Sequence, residues 1–503
     1  MASHNSPGFF ARQRLSTPKQ SVSKDPDALR IGILGAASIA PLGVIYPART
    51  MRSIIVVSVA ARDQTKAKDF AAKYSIPNTH PSYEALVNDP NIDCIYNPLP
   101  NGLHYEWTKK ALEAGKHVLL EKPSASNAAQ TQELFELAQQ KNRVLLEAFH
   151  YRFHPASIYF REILQKHIAD GHPIQHVKSA LIVPGIFPPT DIRFNIKLAG
   201  GTTMDTGCYV VNSILYFTGL EFDSVDKAVP KIISEEIDGK MEGVLNMKDS
   251  HGANVQAHFA TSLINSWLSL QTYREFFPSV IVETDQKIFT FGVFLYPTLY
   301  HFFTLKDKVT GKTENLPKAY GEGYTTYHYQ LEAFIKAVKN DGRDTSLIAG
   351  WMRGEDSVLN MKVIDAIYTR AGMKIRERNS DLGMTQALCR RDNRFINGGR
   401  KQKGKKPPGG NFKGRATYYN PDGKGSCGDE LSNNMVAALN GSQMKKDICG
   451  KSIKVTYEGK SVVVKVLDTC PGCPKGAVDL SEAAFKQLAD LDKGVIQVAW
   501  SFV

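Results

Sequence analysis

Short apolar runs alternate with segments of helical periodicity over the first 150 residues. RIGIL (30–34) leads into a turn of small residues and a helix start, and the apolar run SIIVVSVAA follows at 53–61. IDCIYN (92–97) and HVLLE (117–121) lie on either side of the helix-like segment KKALEAGK. Apolar strands that alternate with helices are typical of βαβ units. We therefore predict a doubly wound, parallel α/β domain at 30–150.

The region that follows, 151–376, contains the longest uncharged run of the chain. This run, IFTFGVFLYPTLYHFFTL at 288–305, is interrupted by Gly292, Pro297 and His301. Breakers inside an apolar stretch predict paired strands and argue against a membrane-spanning helix.

A strand-rich module at 412–503 follows a Gly/Pro/Lys-rich linker at 377–411. We predict four strands and one helix in the module: GRATYYN (414–420), SIKVTY (452–457), SVVVKVLD (461–468), SEAAFKQLAD (481–490, the helix) and GVIQVAWSFV (494–503). Several short strands in a module of this size suit a small, closed all-β barrel.

The formal charge of +12 is concentrated in the linker. Residues 390–415 contain ten Lys or Arg against one acid, Asp392, so the rest of the chain is nearly neutral. Such a run is typical of a solvated linker. Residues 400–415 include only one aromatic residue, Phe412, so we expect no nucleic acid as a partner.

Residues 1–29 are predicted to form a disordered tail. They contain no acid before Asp25 and no apolar run of signal-peptide length. We therefore expect no secretory signal, although an acid-poor stretch with Arg and Ser is also compatible with a mitochondrial presequence.

Gly35 opens a turn suited to a dinucleotide phosphate. The GxGxxG fingerprint appears as Gly35 followed by Ala37 and Ala40 at the other two glycine positions. Small residues still let the backbone N–H groups of Ala37, Ser38 and Ile39 approach a pyrophosphate at a helix N-terminus.

The end of the second strand favours NADP. An NAD site usually has Asp or Glu there, but this chain has Ala60-Ala61-Arg62-Asp63. Arg62 can bind a 2′-phosphate with its guanidinium fork, while Asp63 beside it keeps NAD possible.

Lys122 follows the apolar strand HVLL, between Glu121 and Pro123. In a doubly wound sheet the loops at the carboxyl ends of the strands converge on the cofactor crevice. A buried cation beside a substrate hydroxyl eases the loss of its proton, so Lys122 is a candidate catalytic residue.

Four stretches together, GILGAASIA, PLPNGLH, LLEKP and EAFHYRFHP, resemble the glucose–fructose oxidoreductase/inositol dehydrogenase (Gfo/Idh/MocA) family over about residues 28–376. The resemblance is greatest to its branch of dimeric dihydrodiol dehydrogenases and NADP-dependent D-xylose 1-dehydrogenases. It implies a Rossmann domain, then an α+β domain with an open-faced, mainly antiparallel sheet that often forms the oligomer interface. It also implies that the EKP lysine is catalytic, with a Lys–Pro bond that is frequently cis. The cofactor-binding residues that it implies are Gly35, Ala37, Ser38, Ile39, Arg62, Leu99, Asn101, His104, Glu121 and Lys122.

A second motif, GGTTMDTGCY at 200–209, is similar to the family pattern GG-x-x-x-D-x-G-x-Y. Asp205 and Tyr209 are four residues apart, so they share one face of a helix and can address one substrate. The family has an acid or base at the Tyr209 position. A tyrosine ordinarily keeps its proton at neutral pH, so we expect Lys122 to make its phenolate accessible.

Arg152 and Arg193 are further candidates for the substrate pocket. His150 and His154 have the i, i+4 spacing of metal ligands, but no HExxH pattern is present and Pro155 ends the stretch. We therefore predict no metal in this site.

The last 77 residues contain four of the seven cysteines, including the CPGC of Cys470 and Cys473. A thioredoxin-type CxxC opens a helix, but Pro474 follows here, and a zinc ribbon needs a second CxxC. We predict two disulfides among Cys427, Cys449, Cys470 and Cys473, with the pairing left open.

The stretches ATYY, GSCG, VLDTCPGC, AVDLSEAAF and VAWSFV resemble the RlpA-like double-psi β-barrel of expansins, loosenins and barwin-type proteins. The expansin cleft uses a Thr, two Asp and an aromatic residue. Thr417, Asp468 and Asp479 match the first three, whereas Cys470 stands at the aromatic position. Carbohydrate binding and protease inhibition are left equally open, and helix or turn capping is the alternative role of both Asp residues.

Our main hypothesis is an NADP-dependent dehydrogenase that acts on a sugar such as D-xylose, or on a trans-dihydrodiol. In it Tyr209, assisted by Lys122 and Asp205, takes the hydroxyl proton. We expect a cytoplasmic homodimer, although the barrel is of a type found in secreted proteins. The alternative is a gene fusion, or a merged gene model, in which the barrel is an independent secreted module that binds carbohydrate or inhibits a protease.

Overall fold

The computed structural model describes residues 7–377 and 412–502, with some positions left out of each range. These positions are 189, 235, 266–277, 341 and 343 in the first range, and 420–424, 429–430, 432–434, 441–442, 445–447, 471–472 and 474–475 in the second. The chain divides into two compact units, residues 1–383 and 384–503. The predicted linker, from residue 378 to residue 411, lies outside the described residues.

A six-stranded parallel sheet forms the first part of unit 1, and its strand order is β3-β2-β1-β4-β5-β6. The strands are Leu29–Leu34 (β1), Ile54–Ala60 (β2), Asn78–His80 (β3), Cys94–Asn97 (β4), His117–Leu120 (β5) and Leu145–Glu147 (β6). The helices of this part are Phe9–Ser16 (α1), Tyr46–Thr50 (α2), Gln64–Tyr74 (α3), Tyr83–Val87 (α4), His104–Glu113 (α5) and Ala128–Gln140 (α6). This order defines a Rossmann domain, as predicted.

An eight-stranded mixed sheet forms the second part of unit 1, in the order β14-β13-β12-β11-β7-β10-β9-β8. Its strands are Ile174–Pro184 (β7), Glu221–Ser234 (β8), Ile237–Lys248 (β9), Asn254–Asn265 (β10), Ser279–Thr284 (β11), Lys287–Gly292 (β12), Phe302–Asp307 (β13) and Thr313–Leu316 (β14). The helices are Pro155–Ala169 (α7), Cys208–Thr218 (α8), Thr326–Lys339 (α9) and Gly354–Arg370 (α10).

The prediction of a mainly antiparallel sheet is confirmed, because only the central pair β7 and β10 runs parallel. The apolar run at 288–305 supplies β12 and the start of β13, which pair antiparallel, as its breakers predicted. None of the helices that the structure describes is long and apolar enough to cross a membrane.

The described part of the predicted disordered tail, residues 7–29, is ordered in the structure. Helix α1 directs Arg12 into unit 1, where its side chain is 7% exposed. The Arg12 guanidinium donates to the carbonyl oxygens of Thr298 and Leu299, at 2.9 Å each, and lies 3.6 Å from the centre of the Tyr320 ring. Two charge-assisted hydrogen bonds and a cation–π contact offset the entropy of ordering this segment.

Unit 2 is a closed barrel in which the strands follow the order β15-β19-β16-β18-β17-β20. Its elements are Phe412–Tyr419 (β15), Val436–Asn440 (β16), Ser452–Tyr457 (β17), Lys460–Cys470 (β18), Val478–Ser481 (β19), Glu482–Lys486 (α11) and Ile496–Phe502 (β20). The all-β prediction is confirmed. Strands β16 and β19 were not predicted, because four or five residues are too few to establish a period of two. The predicted helix is shorter than expected and ends at Lys486.

Both predicted disulfides are present in the barrel. Cys427 is bonded to Cys449, 22 residues further along the chain, and Cys470 is bonded to Cys473, three residues further. The two sulfurs of the CPGC are bonded to each other, so they are not a zinc ligand pair in this structure, and the next element that the structure describes is the strand β19 and not a helix.

The two disulfides should contribute unequally to stability. Because the entropy that a cross-link removes from the unfolded chain grows with loop length, we expect about 3.4 kcal/mol from Cys427–Cys449 and about 1.6 kcal/mol from Cys470–Cys473. The double variants C427S/C449S and C470S/C473S serve as matched controls for each other. The free energy of unfolding of the barrel is measured in a urea titration in which hydrogen exchange of β18 monitors unfolding. Equal losses in the two variants would contradict the loop-length argument.

Candidate active site

A cleft of about 390 Å³ lies where the two parts of unit 1 meet. Its lining comes from the loops after β1, β4, β5 and β6, from β7, and from the segment that precedes α8. The strand order reverses between β1 and β4, and ligands of open α/β sheets bind at this position. The cleft is therefore the candidate active site.

The turn after β1 has the geometry of a phosphate cradle. Gly35 has a φ of +88°, which favours glycine, and its N–H donates to the Ala60 carbonyl oxygen at 2.7 Å. Ser38 and Ile39 line the cleft. The N–H groups of Ala37 and Ser38 donate to no residue that the structure describes, which leaves them available to an anion.

The end of β2 has an exposed cation and a carboxylate that is already bound. Arg62 is exposed there. One oxygen of Asp63 accepts hydrogen bonds from the N–H groups of Thr65 and Lys66, at 2.9 and 3.3 Å, and caps α3. A capping carboxylate is less available to a ribose hydroxyl, so this arrangement is more suitable for a 2′-phosphate.

The loop after β4 places three of the predicted residues at the cleft. Leu99 and Asn101 line it, and the Asn101 amide donates to the Ala199 carbonyl oxygen at 3.2 Å. His104 differs from the other two, because both of its ring nitrogens face backbone carbonyl oxygens, those of Pro123 at 2.7 Å and Leu99 at 2.6 Å. The ring is fully buried, so it supports the two loops and has no free nitrogen for a cofactor.

Lys122 and Asp205 form an ion pair across the cleft. The Lys122 Nζ donates to the Asp205 carboxylate at 3.0 Å and to the Asp205 carbonyl oxygen at 2.9 Å, and the peptide bond between Lys122 and Pro123 is cis. The other Asp205 oxygen accepts from the Arg193 Nε at 2.8 Å. Burial opposes the charge on Asp205, but Lys122 and Arg193 lower its pKa below the usual value. Asp205 also raises the pKa of Lys122 in spite of burial, so both groups are ionised.

Tyr209 lies beside this pair. The Lys122 Nζ is 5.0 Å from the centre of the Tyr209 ring. No described residue is placed to hydrogen-bond the Tyr209 hydroxyl. Burial, with further contributions from Tyr327 and Glu121, raises the pKa of Tyr209 well above its ordinary value. The phenol therefore keeps its proton in this state, and the ammonium of Lys122 contacts the ring face while it is paired with Asp205.

Among the lining residues that no sequence motif indicated are three titratable side chains. His150, Tyr296 and Tyr327 line the cleft. His150 follows the carboxyl end of β6, which is a signal that could have identified it. Its Nδ1 lies 2.8 Å from the Thr326 hydroxyl, and burial lowers its pKa to about 3. The two tyrosines come from distant segments that carry no local signal.

Arg152 is not part of the described cleft lining, so its prediction as a pocket residue is not supported by the geometry. Its guanidinium donates to the carbonyl oxygens of Gly350 and Trp351, at 3.0 and 2.8 Å, and pairs with Asp356 at 3.3 Å. The side chain is 6% exposed. These bonds satisfy the buried cation within the loop that precedes α10.

A buried ion pair fixes the helical segment Thr203–Gly207, which contains Asp205 and leads directly into α8, where Tyr209 lies. One oxygen of Asp238 accepts from the backbone N–H and the hydroxyl of Thr203, at 2.7 and 2.6 Å. The other accepts from the Tyr368 hydroxyl at 2.9 Å and from Arg376 at 3.2 Å. Arg376 also donates to the Gly200 carbonyl oxygen at 3.1 Å. The last segment of unit 1 thus determines where the helix begins.

The barrel brings its three predicted residues into one row. Thr417 pairs in register with Asp479, and Asp479 and Asp468 both pair with Ala438 of β16, from opposite sides. The Thr417 hydroxyl donates to Asp479 at 2.7 Å. Burial, with a contribution from Asp468, raises the pKa of Asp479.

Tyr419 is an aromatic residue that lies near Asp468 and Asp479. It lies two residues after Thr417 on the same strand, so the two side chains share a face. Its hydroxyl is buried without a partner among the described residues, and burial, with contributions from Asp468 and Asp479, raises its pKa. The alternation along β15 was the signal for this residue.

The Rossmann sheet, the anion-suited turn and the paired lysine in the crevice define a dinucleotide-dependent oxidoreductase. Residues 29–149 match the family model described as "Oxidoreductase family, NAD-binding Rossmann fold" (GFO_IDH_MocA). The chain belongs to this family, since it is 32% identical over 344 residues to D-xylose 1-dehydrogenase (NADP(+)) 2 of Haloferax volcanii, which covers 68% of this chain and 97% of that protein.

A second sequence relative and a solved structure are also similar to unit 1. Trans-1,2-dihydrobenzene-1,2-diol dehydrogenase of Xenopus tropicalis is 40% identical over 172 residues, which are 34% of this chain and 51% of that protein. A crystal structure of KijD10, a 3-ketoreductase from Actinomadura kijaniata, has a TM-score of 0.57 at 24% identity and covers 68% of this chain and 97% of its own. Residues 411–500 match a second model, DPBB_1, described as "Lytic transglycolase", which agrees with the predicted double-psi barrel.

Proposed function

We propose that unit 1 is an NADP-dependent dehydrogenase that transfers hydride between the cofactor and a CH–OH group of an aldose such as D-xylose, or of a trans-dihydrodiol. The observation that carries this proposal is the group formed by Lys122, Asp205 and Tyr209 at the switch point of the Rossmann sheet. The relative that spans most of unit 1 is an NADP(+)-dependent D-xylose dehydrogenase.

The residues around the cleft are suitable for NADP. The free N–H groups of Ala37 and Ser38 would hold the pyrophosphate, and Arg62 would bind the 2′-phosphate. Leu99 and Asn101, after β4, would border the nicotinamide end. NADP, when bound, accepts or supplies the hydride, and the protein contributes position and charge.

Lys122 would orient the substrate hydroxyl and stabilise negative charge on its oxygen. Its ammonium is held at the cleft by two bonds to Asp205 and is 15% exposed, so one side remains accessible. A fixed cation in a partly dry site stabilises a developing alkoxide more than it stabilises the alcohol. Asp205 is in this view a positioning residue, because it keeps Lys122 charged and fixed.

Tyr209 would exchange the proton with the substrate oxygen. Its neutral phenol is ready to donate, which suits reduction of a carbonyl group. In the direction of oxidation the same group must accept a proton, and its raised pKa opposes that step. Substrate that displaces Asp205 from part of the Lys122 ammonium would then help to stabilise the phenolate.

The described cleft favours a small, uncharged substrate. Arg193, the second cation of the lining, is paired with Asp205 at 2.8 Å and with Asp191 at 3.0 Å. Neither cation is therefore free for a phosphate group. Leu181, Val183 and Leu295 provide an apolar wall on which a sugar ring or a cyclic diol could lie.

For the barrel, we propose that it binds a glycan through Thr417, Tyr419, Asp468 and Asp479. Two carboxyl groups with different environments support this. Asp468 accepts from the N–H groups of Ser426 and Thr469, at 2.9 and 2.8 Å, whereas Asp479 is buried beside Thr417. Carboxyl groups in different environments and an aromatic residue in one row suit recognition of sugar hydroxyls better than they suit an inhibitory loop.

Replacement of Lys122 by Met or Tyr209 by Phe should reduce kcat by about 10²–10⁴-fold, because both groups act on the proton and the oxygen charge. The Kd for NADP should change little. Stopped-flow turnover on D-xylose and on a trans-dihydrodiol, with cofactor fluorescence for binding, measures both. Lys109→Met, on the surface of α5, is the control. Ordinary turnover in either active-site variant would show that the assignment is wrong.

Replacement of Arg62 by Ala should weaken NADP binding by about 1.5–3 kcal/mol and leave NAD binding nearly unchanged, because only NADP has the phosphate that Arg62 contacts. Titration of both cofactors measures the difference. Lys66→Ala, one turn into α3, controls for general loss of positive charge. An equal loss for both cofactors would make Arg62 irrelevant to their discrimination.

Binding of the full chain to insoluble glycans should depend on the barrel row. We expect Asp479→Asn and Tyr419→Phe to reduce retention on cellulose, chitin or peptidoglycan by about tenfold for each lost hydrogen bond. The exposed Asp490→Asn variant is the control. Retention that is equal in all four proteins, or absent on every glycan while a protease is inhibited, would favour the alternative function.

A further inference from the structure

Two histidines and an aspartate from three separate segments meet on the surface of unit 1. His167 is in the last turn of α7, His172 is in the loop between α7 and β7, and Asp285 is in the turn between β11 and β12. The Asp285 N–H donates to the Pro173 carbonyl oxygen at 3.2 Å, which ties this turn to the loop. No local sequence motif indicates this group, because Asp285 is 113 positions from His172.

The three side chains are close to the geometry of a metal site. One ligand atom from each residue can be chosen so that all three lie within 4.8 Å of one another. The His172 Nδ1 is 3.2 and 3.3 Å from the two Asp285 oxygens, and the two imidazole rings are 4.3 Å apart. Bonds of about 2.0–2.2 Å to a tetrahedral ion require ligand atoms about 3.4 Å apart. The two imidazole rings are stacked, 18° from parallel, and rotation out of this arrangement would bring the ligand atoms to the shorter separation.

An outer hydrogen bond already orients His167. Its Nε2 lies 3.1 Å from the Thr284 hydroxyl, which leaves Nδ1 as the free ring nitrogen. Metal-bound histidines usually have their second nitrogen held by an oxygen in this way.

The surrounding charges do not exclude a cation. Lys308 is paired with Glu283 at 2.6 Å and also donates to the Thr284 carbonyl oxygen at 3.0 Å. Lys287 and Asp170 both act electrostatically on His167, and because their charges are opposite, their effects oppose each other. The Asp285 side chain is 36% exposed, so an ion from solvent can reach it.

We propose that His167, His172 and Asp285 form a binding site for a divalent transition-metal ion, with Zn²⁺ as the best match for two imidazoles and one carboxylate. Water completes the coordination. The ion clamps the loop after α7 to the β11–β12 turn. Strand β7 is 11 residues long, so at about 3.3 Å per residue the site is roughly 30 Å from the cleft, at the other end of this strand. The metal therefore stabilises unit 1 and takes no part in hydride transfer.

Equilibrium dialysis of the full, oxidised chain against Zn²⁺ tests this site, with Co²⁺ absorption as a report of coordination. We expect one tightly bound ion per chain and a rise in Tm of unit 1. His167→Gln and His172→Gln each remove a direct ligand. Loss of an outer-shell partner already weakens metal binding by about 10–100-fold, so we expect each variant to lose at least as much affinity for Zn²⁺. His251→Gln, in an exposed turn, should bind normally. Circular dichroism without metal confirms that each variant is folded.

Two results would overturn the site. One is stoichiometric Zn²⁺ that is retained by both His167→Gln and His172→Gln. The other is no saturable binding to the folded wild-type chain. Turnover is not the readout, so the result does not depend on the proposed dehydrogenase activity.

Discussion

The ion pair between Lys122 and Asp205 is the constraint on which the enzyme unit depends. It joins a loop of the Rossmann domain to a helix start in the second domain, and neither side chain could remain charged in this buried position alone. Each partner therefore has to be placed accurately by its own domain. On one side His104 fixes the loops around Pro123, and on the other Asp238 fixes the helix at Thr203. The position of the Lys122–Asp205 pair is therefore determined by two separate sets of hydrogen bonds, one in each domain.

Much of this arrangement could be read from the sequence. The Rossmann strands were predictable because their apolar runs are punctuated by small residues and helices, and Lys122, Asp205 and Tyr209 lie in motifs with fixed spacing. The barrel strands β15, β17, β18 and β20 alternate long enough to be recognised. The two short strands β16 and β19 could not be recognised, because their position is determined by pairing with strands that are distant in sequence.

The rest of the site depends on long-range contacts that a single sequence does not contain. Arg152 lies in a motif that predicted a pocket residue, but its guanidinium donates to the carbonyl oxygens of Gly350 and Trp351 instead. His104 matches a cofactor-loop motif, but its two nitrogens are both used inside the protein. Arg12 is in a segment with no apolar pattern, and it is ordered by the carbonyl groups of residues almost 300 positions away. In each case a buried cation or imidazole goes to the nearest acceptors, and these are set by the fold.

Arg376 connects the last described segment of unit 1 to the active site. It holds the segment around Asp205 in place through Gly200 and Asp238, and it lies one position before the last described residue of the unit, Glu377. A chain that stopped before Arg376 would lose these contacts, on which the position of the segment around Asp205 depends. The placement of Asp205 thus sets a limit, at Arg376, on how far the chain of unit 1 can be shortened from this side.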